Sequence, residues 1–251
     1  MPIITDNMSS QTIAGSNFTF SATRIDSLGA AEYTLVTLMT DVSGSVGAYQ
    51  TELVGCIKAI VAACSKSPRA DNLLLRLVTF DQRLTEVHGF KPLTQCNPED
   101  YNNALRDGGM TALFDASFSA IEAGNQYGRD LTAKDFEVNA IVFVITDGQD
   151  NASKFGASKV KAALEAARTG ECVESLVSIL IGVGAGAGGG NGTSLDHWLL
   201  EFKDDVGFTQ YVPLADASVK TLTKLADFVS KSISAQSQSL GTGGASTSLS
   251  L

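Results

Sequence analysis

Apolar and polar positions along this chain change rhythm repeatedly, and each change marks an element. "YTLVTLM" (33–39) is almost continuously apolar or β-branched, which predicts a strand buried on both faces. A helical rhythm follows, with Leu53, Ile57, Ile60, Val61 and Cys64 on one face. Pro68 in "SKSPR" stops it, because proline cannot continue the hydrogen-bond ladder. "LLLRLVTF" (73–80) reads as a second strand. "LTEVHGF" (84–90) comes after only "DQR", a hairpin-length connection, and predicts an antiparallel edge strand. "NPEDYNNALRDGG" predicts a short helix from near Pro98 to Gly108–Gly109. Phe114, Phe118 and Ile121 mark the next helix, "NAIVFVITD" the most apolar strand, and Val160, Ala163, Leu164 and Ala167 another helix. "SLVSILIGVG" is a buried strand, "LDHWLLEFK" a short helix and "GFTQYV" a last strand. Val219, Leu222, Leu225, Ala226, Val229 and Ile233 define the final helix.

Strands alternating with helices predict βαβ units, hence an α/β fold with a mainly parallel sheet and helices on both faces. Residues 31–234 form that domain. Residues 1–30 are a polar extension in which "NFTFSA" (17–22) alternates as one further edge strand would. From Ala235 the chain is polar and rich in glycine and serine, and 235–251 is expected to be a disordered tail.

Length and composition fit this picture. A chain of 251 residues with 44% hydrophobic content can bury one sizeable core. The net charge of −9 disfavours a phosphate backbone, and no cluster of basic residues offsets it, so nucleic acid is not an expected partner. No apolar run reaches the length of a membrane helix, so no membrane is expected either. Cys56, Cys64, Cys96 and Cys172 form no C-x-x-C pair and lie far from His88 and His197, which argues against zinc. Buried, reduced thiols and a start without a basic or long apolar leader point to the cytoplasm.

The candidate chemistry lies where strands end. "TLMTDVSGSVGAY" climbs to Asp41, followed by Ser43 and Ser45 around Gly44. "AIVFVITDGQDN" climbs to Asp147, and "DGGMTALFD" offers Thr111 behind two glycines. Ligands of parallel sheets bind outside the carboxyl ends of the strands. Carboxylate and hydroxyl oxygens are the donors that Mg²⁺ and Mn²⁺ prefer. Ser43 or Ser45 could also cap the helix that follows. Asp150 reads as a solvated loop residue and Asp115 as a favourable first-turn charge. His88 and His197 read as structural or surface residues, and Trp198 as a core or half-buried one. "GVGAGAGGGNG" matches dinucleotide-type glycine spacing only by its richness in glycine, and is expected to be a mobile loop near the same sheet edge.

Asp-x-Ser-x-Ser at Asp41, Ser43 and Ser45, Gly-Gly-x-Thr at Gly108 to Thr111, and Thr-Asp-Gly at Thr146 to Gly148 together resemble a von Willebrand factor A domain with its metal-ion-dependent adhesion site. The resemblance spans about residues 33 to 233. It implies a doubly wound, Rossmann-like fold with one antiparallel edge strand. It also implies a Mg²⁺ or Mn²⁺ ion held by Asp41, Ser43, Ser45, Thr111 and Asp147. Gly44, Gly109, Met110, Gly148 and Gln149 would then form the surface that a partner touches. In such a module a partner's Glu or Asp completes the ion's coordination, and no reaction is catalysed. Stand-alone bacterial forms work with MoxR-type AAA+ ATPases, kinases, phosphatases or larger complexes, which makes such a protein the implied partner.

Two other readings compete. Asp41 beside Mg²⁺ could be the nucleophile of a phosphoryl-transfer enzyme, although Ser43 stands where the haloacid dehalogenase phosphatases carry a second acid. A metal-independent scaffold is the third.

Overall fold

The computed structural model describes residues 7–105, 108–170, 172–185, 195–242 and 249–250. Thirteen elements build it: β1 (Met8–Thr12), β2 (Thr19–Thr23), β3 (Glu32–Asp41), α1 (Gln50–Cys64), β4 (Leu73–Phe80), β5 (Leu84–Pro92), α2 (Leu113–Thr132), β6 (Glu137–Thr146), α3 (Ala157–Thr169), β7 (Leu176–Val183), α4 (Leu195–Val206), β8 (Gln210–Leu214) and α5 (Val219–Thr242). The strands form one eight-stranded sheet in the order β1-β2-β5-β4-β3-β6-β7-β8. β4, β3, β6, β7 and β8 run parallel, and β5 is antiparallel to β4.

Alternation along the central strands sorts side chains to two faces. Tyr33, Leu35 and Met39 of β3, with Val138, Ala140, Val142 and Val144 of β6, join the core under α2, α3 and α4. Val36 and Leu38, with Ile141, Phe143 and Ile145, join the second core under α1 and α5. This explains the near-continuous apolar runs: both faces are covered. The chain leaves β3 toward β4 through α1 on one face, and reaches β6 through α2 on the other. The carboxyl ends of β3 and β6 therefore flank the point where the winding reverses, the usual location of a crevice.

Four expectations need correction. β5 is antiparallel but lies inside the sheet, because β1 and β2 form a hairpin that docks beyond it. The approach needs Gly89, since a Cβ there would sit 1.8 Å from the Ser21 carbonyl oxygen. The helix expected from Pro98 is one 3-10 turn, Pro98–Tyr101, with Asn97 accepting from the Glu99 N–H at 3.0 Å. The chain then turns at 102–104 toward the sheet edge, where Gly108 N–H donates to the Val42 carbonyl at 2.7 Å. Ser43 and Ser45 do not cap α1, which starts only at Gln50 after a 3-10 turn, Gly44–Tyr49. Finally, α5 continues to Thr242, well into the stretch expected to be disordered. Its polar residues have partners: Gln236 Nε2 donates to the Ala140 carbonyl and to Ser175 Oγ, and Ser237 Oγ accepts from Arg69 Nε.

All four cysteines are free and buried. The glycine-rich loop expected to be mobile lies largely outside the described residues. Among those residues no helix is long and apolar enough to cross a membrane.

Candidate functional site

β3 delivers Asp41 to the sheet edge as its last residue, 1% exposed. One carboxylate oxygen accepts from the Ser43 N–H at 2.8 Å, and the other from Thr146 Oγ1 at 2.6 Å. Asp41 thus links the ends of β3 and β6. Burial is the main cause that pushes its carboxyl up to about 6, against the opposing pull of these two bonds, and the Asp147 charge adds to the rise.

The remaining expected residues continue from there. Ser43 Oγ lies 3.4 Å from Ser45 Oγ, and Ser45 Oγ donates to an Asp147 carboxylate oxygen at 2.8 Å. Thr111 is buried, and its Oγ1 borders Gly148: a Cβ built on that glycine would meet it at 3.3 Å. Three loops thereby bring two carboxylates and three hydroxyls to one edge. Ser45 is exposed and Asp147 half-buried, so the cluster opens to solvent. Gly44, Gly109, Met110 and Gln149 are exposed around it and Gly148 is half-buried; Met110 is 52% exposed.

Backbone bonds hold the loops in register. Gly44 N–H donates to the Gly109 carbonyl at 3.1 Å. Asp81, just past β4, accepts from Gly109 N–H at 3.3 Å through its side chain and from Ala112 N–H at 2.8 Å through its carbonyl. Gly108 has to be glycine here, because a Cβ would lie 2.4 Å from the Asp81 Cβ. Asn151 Oδ1 accepts from Thr111 N–H at 2.8 Å, while the Asn151 N–H returns a bond to the Thr111 carbonyl at 2.9 Å. Asp81 and Asn151 are supports that the sequence reading did not name, and Thr146 was named there only as part of the Thr-Asp-Gly motif, without its bond to Asp41. Thr146 and Asn151 lie within the quoted motif stretch, but Asp81 gave no local signal.

Asp150 differs from expectation, and Asp115, in the first turn of α2 as expected, has a further role. Asp150 accepts from the Phe114 N–H at 3.2 Å, so it holds the start of α2 rather than facing solvent alone. Asp115 is buried and accepts from the N–H groups of Lys154 and Phe155 at 3.0 and 2.9 Å. His88 is buried and structural. Its Nδ1 donates to the Gly89 carbonyl, so Nε2 accepts from the Tyr101 hydroxyl at 3.0 Å. Burial lowers this imidazole to about 3.

Among the described residues, no group of three or more His, Cys, Asp or Glu side chains is placed to hold a metal. The edge cluster has two acids, and its other donors are hydroxyls. Its all-oxygen chemistry fits a hard divalent cation and suits a soft one poorly.

No family model matches the sequence, and no curated protein matches it. Solved structures do share the fold. The PilB minor pilin from Streptococcus sanguinis matches with a TM-score of 0.58 at 14% identity, over 92% of this chain and 68% of that one. Proximal thread matrix protein 1 from the mussel byssus matches at 0.54 and 19% identity, over 81% of this chain and 47% of that one. A structure of the same mussel protein with a zinc-occupied MIDAS motif matches at 0.52 and 20% identity, over 81% and 46%. The chain thus spans about half the length of the mussel protein. These likenesses concern architecture, and they establish the fold as a von Willebrand factor A-like domain of Rossmann type.

Proposed function

We propose that this protein is a non-enzymatic binding module that holds Mg²⁺ or Mn²⁺ at the sheet edge and docks a partner protein through the ion. Asp41, Ser43, Ser45, Thr111 and Asp147 would hold it. The supporting observation is the run of contacts from Thr146 through Asp41, Ser43 and Ser45 to Asp147, with Thr111 against Gly148. With two carboxylates and otherwise neutral donors, the bound ion would keep positive charge for an incoming Glu or Asp, and would reverse the repulsion of an acidic surface. The chain's own residues do the rest. Thr146 and Ser43 N–H orient Asp41, Ser45 orients Asp147, and the Asp81 and Asn151 bonds fix the height of Thr111.

The phosphoryl-transfer reading is weaker on this geometry. A nucleophile must reach a phosphorus in line, and the Asp41 carboxylate, 1% exposed at the end of β3, is open to a small ion but not to the approach of a phosphate ester.

The test combines Mn²⁺ titration by calorimetry with partner capture in Mg²⁺, Mn²⁺ and EDTA. Wild type should bind one ion and capture a partner only with metal. Asp41→Ala should lose both while remaining folded. Metal-independent capture by both proteins would sink ion-mediated docking.

A further inference from the structure

Between the start of α3 and the outer side of α4 lies an open groove of about 700 Å³. Its floor is a triangle of three aromatic rings, in which Phe114 and Phe202 meet at 5.0 Å and 44°. Phe114 and Trp198 stack with centroids 6.0 Å apart at 18°, and Trp198 and Phe202 stack at 5.8 Å and 26°. Its rim carries Glu201, Asp204 and Asp205, all exposed. Asp204 meets Lys203 at 2.7 Å and Glu201 meets the His197 imidazole at 3.2 Å, while Asp205 has no ion pair among the described residues. Over its length α4 has four acids against one lysine.

We propose that this groove is a second docking site, and that its occupant is an arginine side chain of a partner protein. The face of an aromatic ring attracts a cation, most strongly for tryptophan. A guanidinium is flat enough to lie on the Trp198 ring and can reach carboxylates beyond its edge with paired N–H donors. An apolar occupant would bury the rim carboxylates without compensating them, which is costly. The net charge of −9 favours the approach of a basic segment. The proposal does not use the cluster at Asp41 and stands or falls independently of it.

Trp198 is the chain's single tryptophan, so its fluorescence reports the groove directly. The full-length protein in EDTA is titrated with the peptide acetyl-Gly-Arg-Leu-Arg-Gly-amide. The control peptide carries citrulline, the neutral isostere, in place of each arginine. Arginine peptide should shift the emission saturably, and citrulline peptide should bind about tenfold or more weakly. Glu201→Gln and Asp205→Asn change exposed side chains and should weaken binding severalfold with circular dichroism unchanged. Asp41→Ala should bind as wild type does. Equal binding of both peptides would overturn the proposal in favour of an apolar ligand. No saturable change at millimolar peptide would also overturn it. So would an emission change with protein concentration alone that disappears in Asp205→Asn, since a second copy would then fill the groove.

Discussion

Asp41 carries an electrostatic load that is measurable without any partner. Its carboxyl is pushed up to about 6 in the folded chain, against 3.8 ordinarily, mainly by burial. The folded state therefore holds this proton more tightly than the unfolded chain does. The resulting stability is complete below about pH 4 and is lost as pH rises through about 6. The loss above pH 7 is on the order of 3 kcal/mol for a shift of this size. Asp41→Asn removes it. The amide oxygen still accepts from Ser43 N–H, the amide N–H can meet Thr146 Oγ1, and the Thr146 proton can turn to the Gly148 carbonyl, 3.2 Å away. In EDTA at pH 7.5 the variant should melt several degrees above wild type, and near pH 4 the two should coincide. Saturating Mn²⁺ at pH 7.5 should reverse the order, because only wild type gains from the ion. Identical melting in EDTA at both pH values would mean that the carboxylate is not strained. The candidate residues Asp41, Ser43, Ser45 and Asp147 could be picked out in the sequence because they stand at or just past the ends of recognisable strands, whereas Thr111 precedes α2 and stood out by the glycines before it. The bonds of Asp150 and Asp115 could not be picked out, because their partners lie in α2 and the loop after β6, far apart in the chain.

At the scale of elements, the misread pieces are those whose partners are tertiary. The β1–β2 hairpin was read only in half: 17–22 alternates as a strand should, whereas β1 is short and polar and gave no strand signal. The hairpin is held by a partly buried ion pair, in which Glu86 accepts from the buried Arg76 Nε at 3.0 Å and from Ser21 N–H at 3.0 Å. It is also held by Tyr127, whose hydroxyl donates to the Thr23 carbonyl at 2.7 Å. Gly89→Ala puts a methyl against Ser21 and should cost about 3 kcal/mol or more in urea unfolding. Limited proteolysis should then cut first within 7–23; unchanged cutting there would show that the hairpin docks without this close approach. The end of α5 was misjudged for a similar reason. Gln236, Ser237 and Ser239 suggest disorder by composition, yet they satisfy Ala140, Ser175, Arg69 and Asn139 at the lower edge of the sheet. A stop codon after Ser234 should destabilise the domain by roughly 2–4 kcal/mol, since each orphaned buried group costs about 1–3. A truncated chain as stable as the full one would show that water replaces these bonds freely.

Across the whole molecule, the sheet was the readable part. Four of its parallel strands, β3, β4, β6 and β7, are covered on both faces, so their apolar runs are long. The position of β5 was not readable, because what borders it comes from the amino-terminal hairpin. The burial that makes those runs legible also encloses every thiol. Cys56 and Cys64 are pushed up to about 12 and Cys96 to about 11 by burial, and Cys172 is 2% exposed. The native protein should give no reaction with Ellman's reagent, and the denatured protein four equivalents; a fast-reacting native thiol would contradict the burial of the cysteine that reacts. The chain is thus a blank background for site-directed labelling. Met110→Cys would supply one reactive handle on the rim of the cluster, where a nitroxide would be broadened by Mn²⁺ if the ion binds as proposed, and would then serve as a ruler for its position.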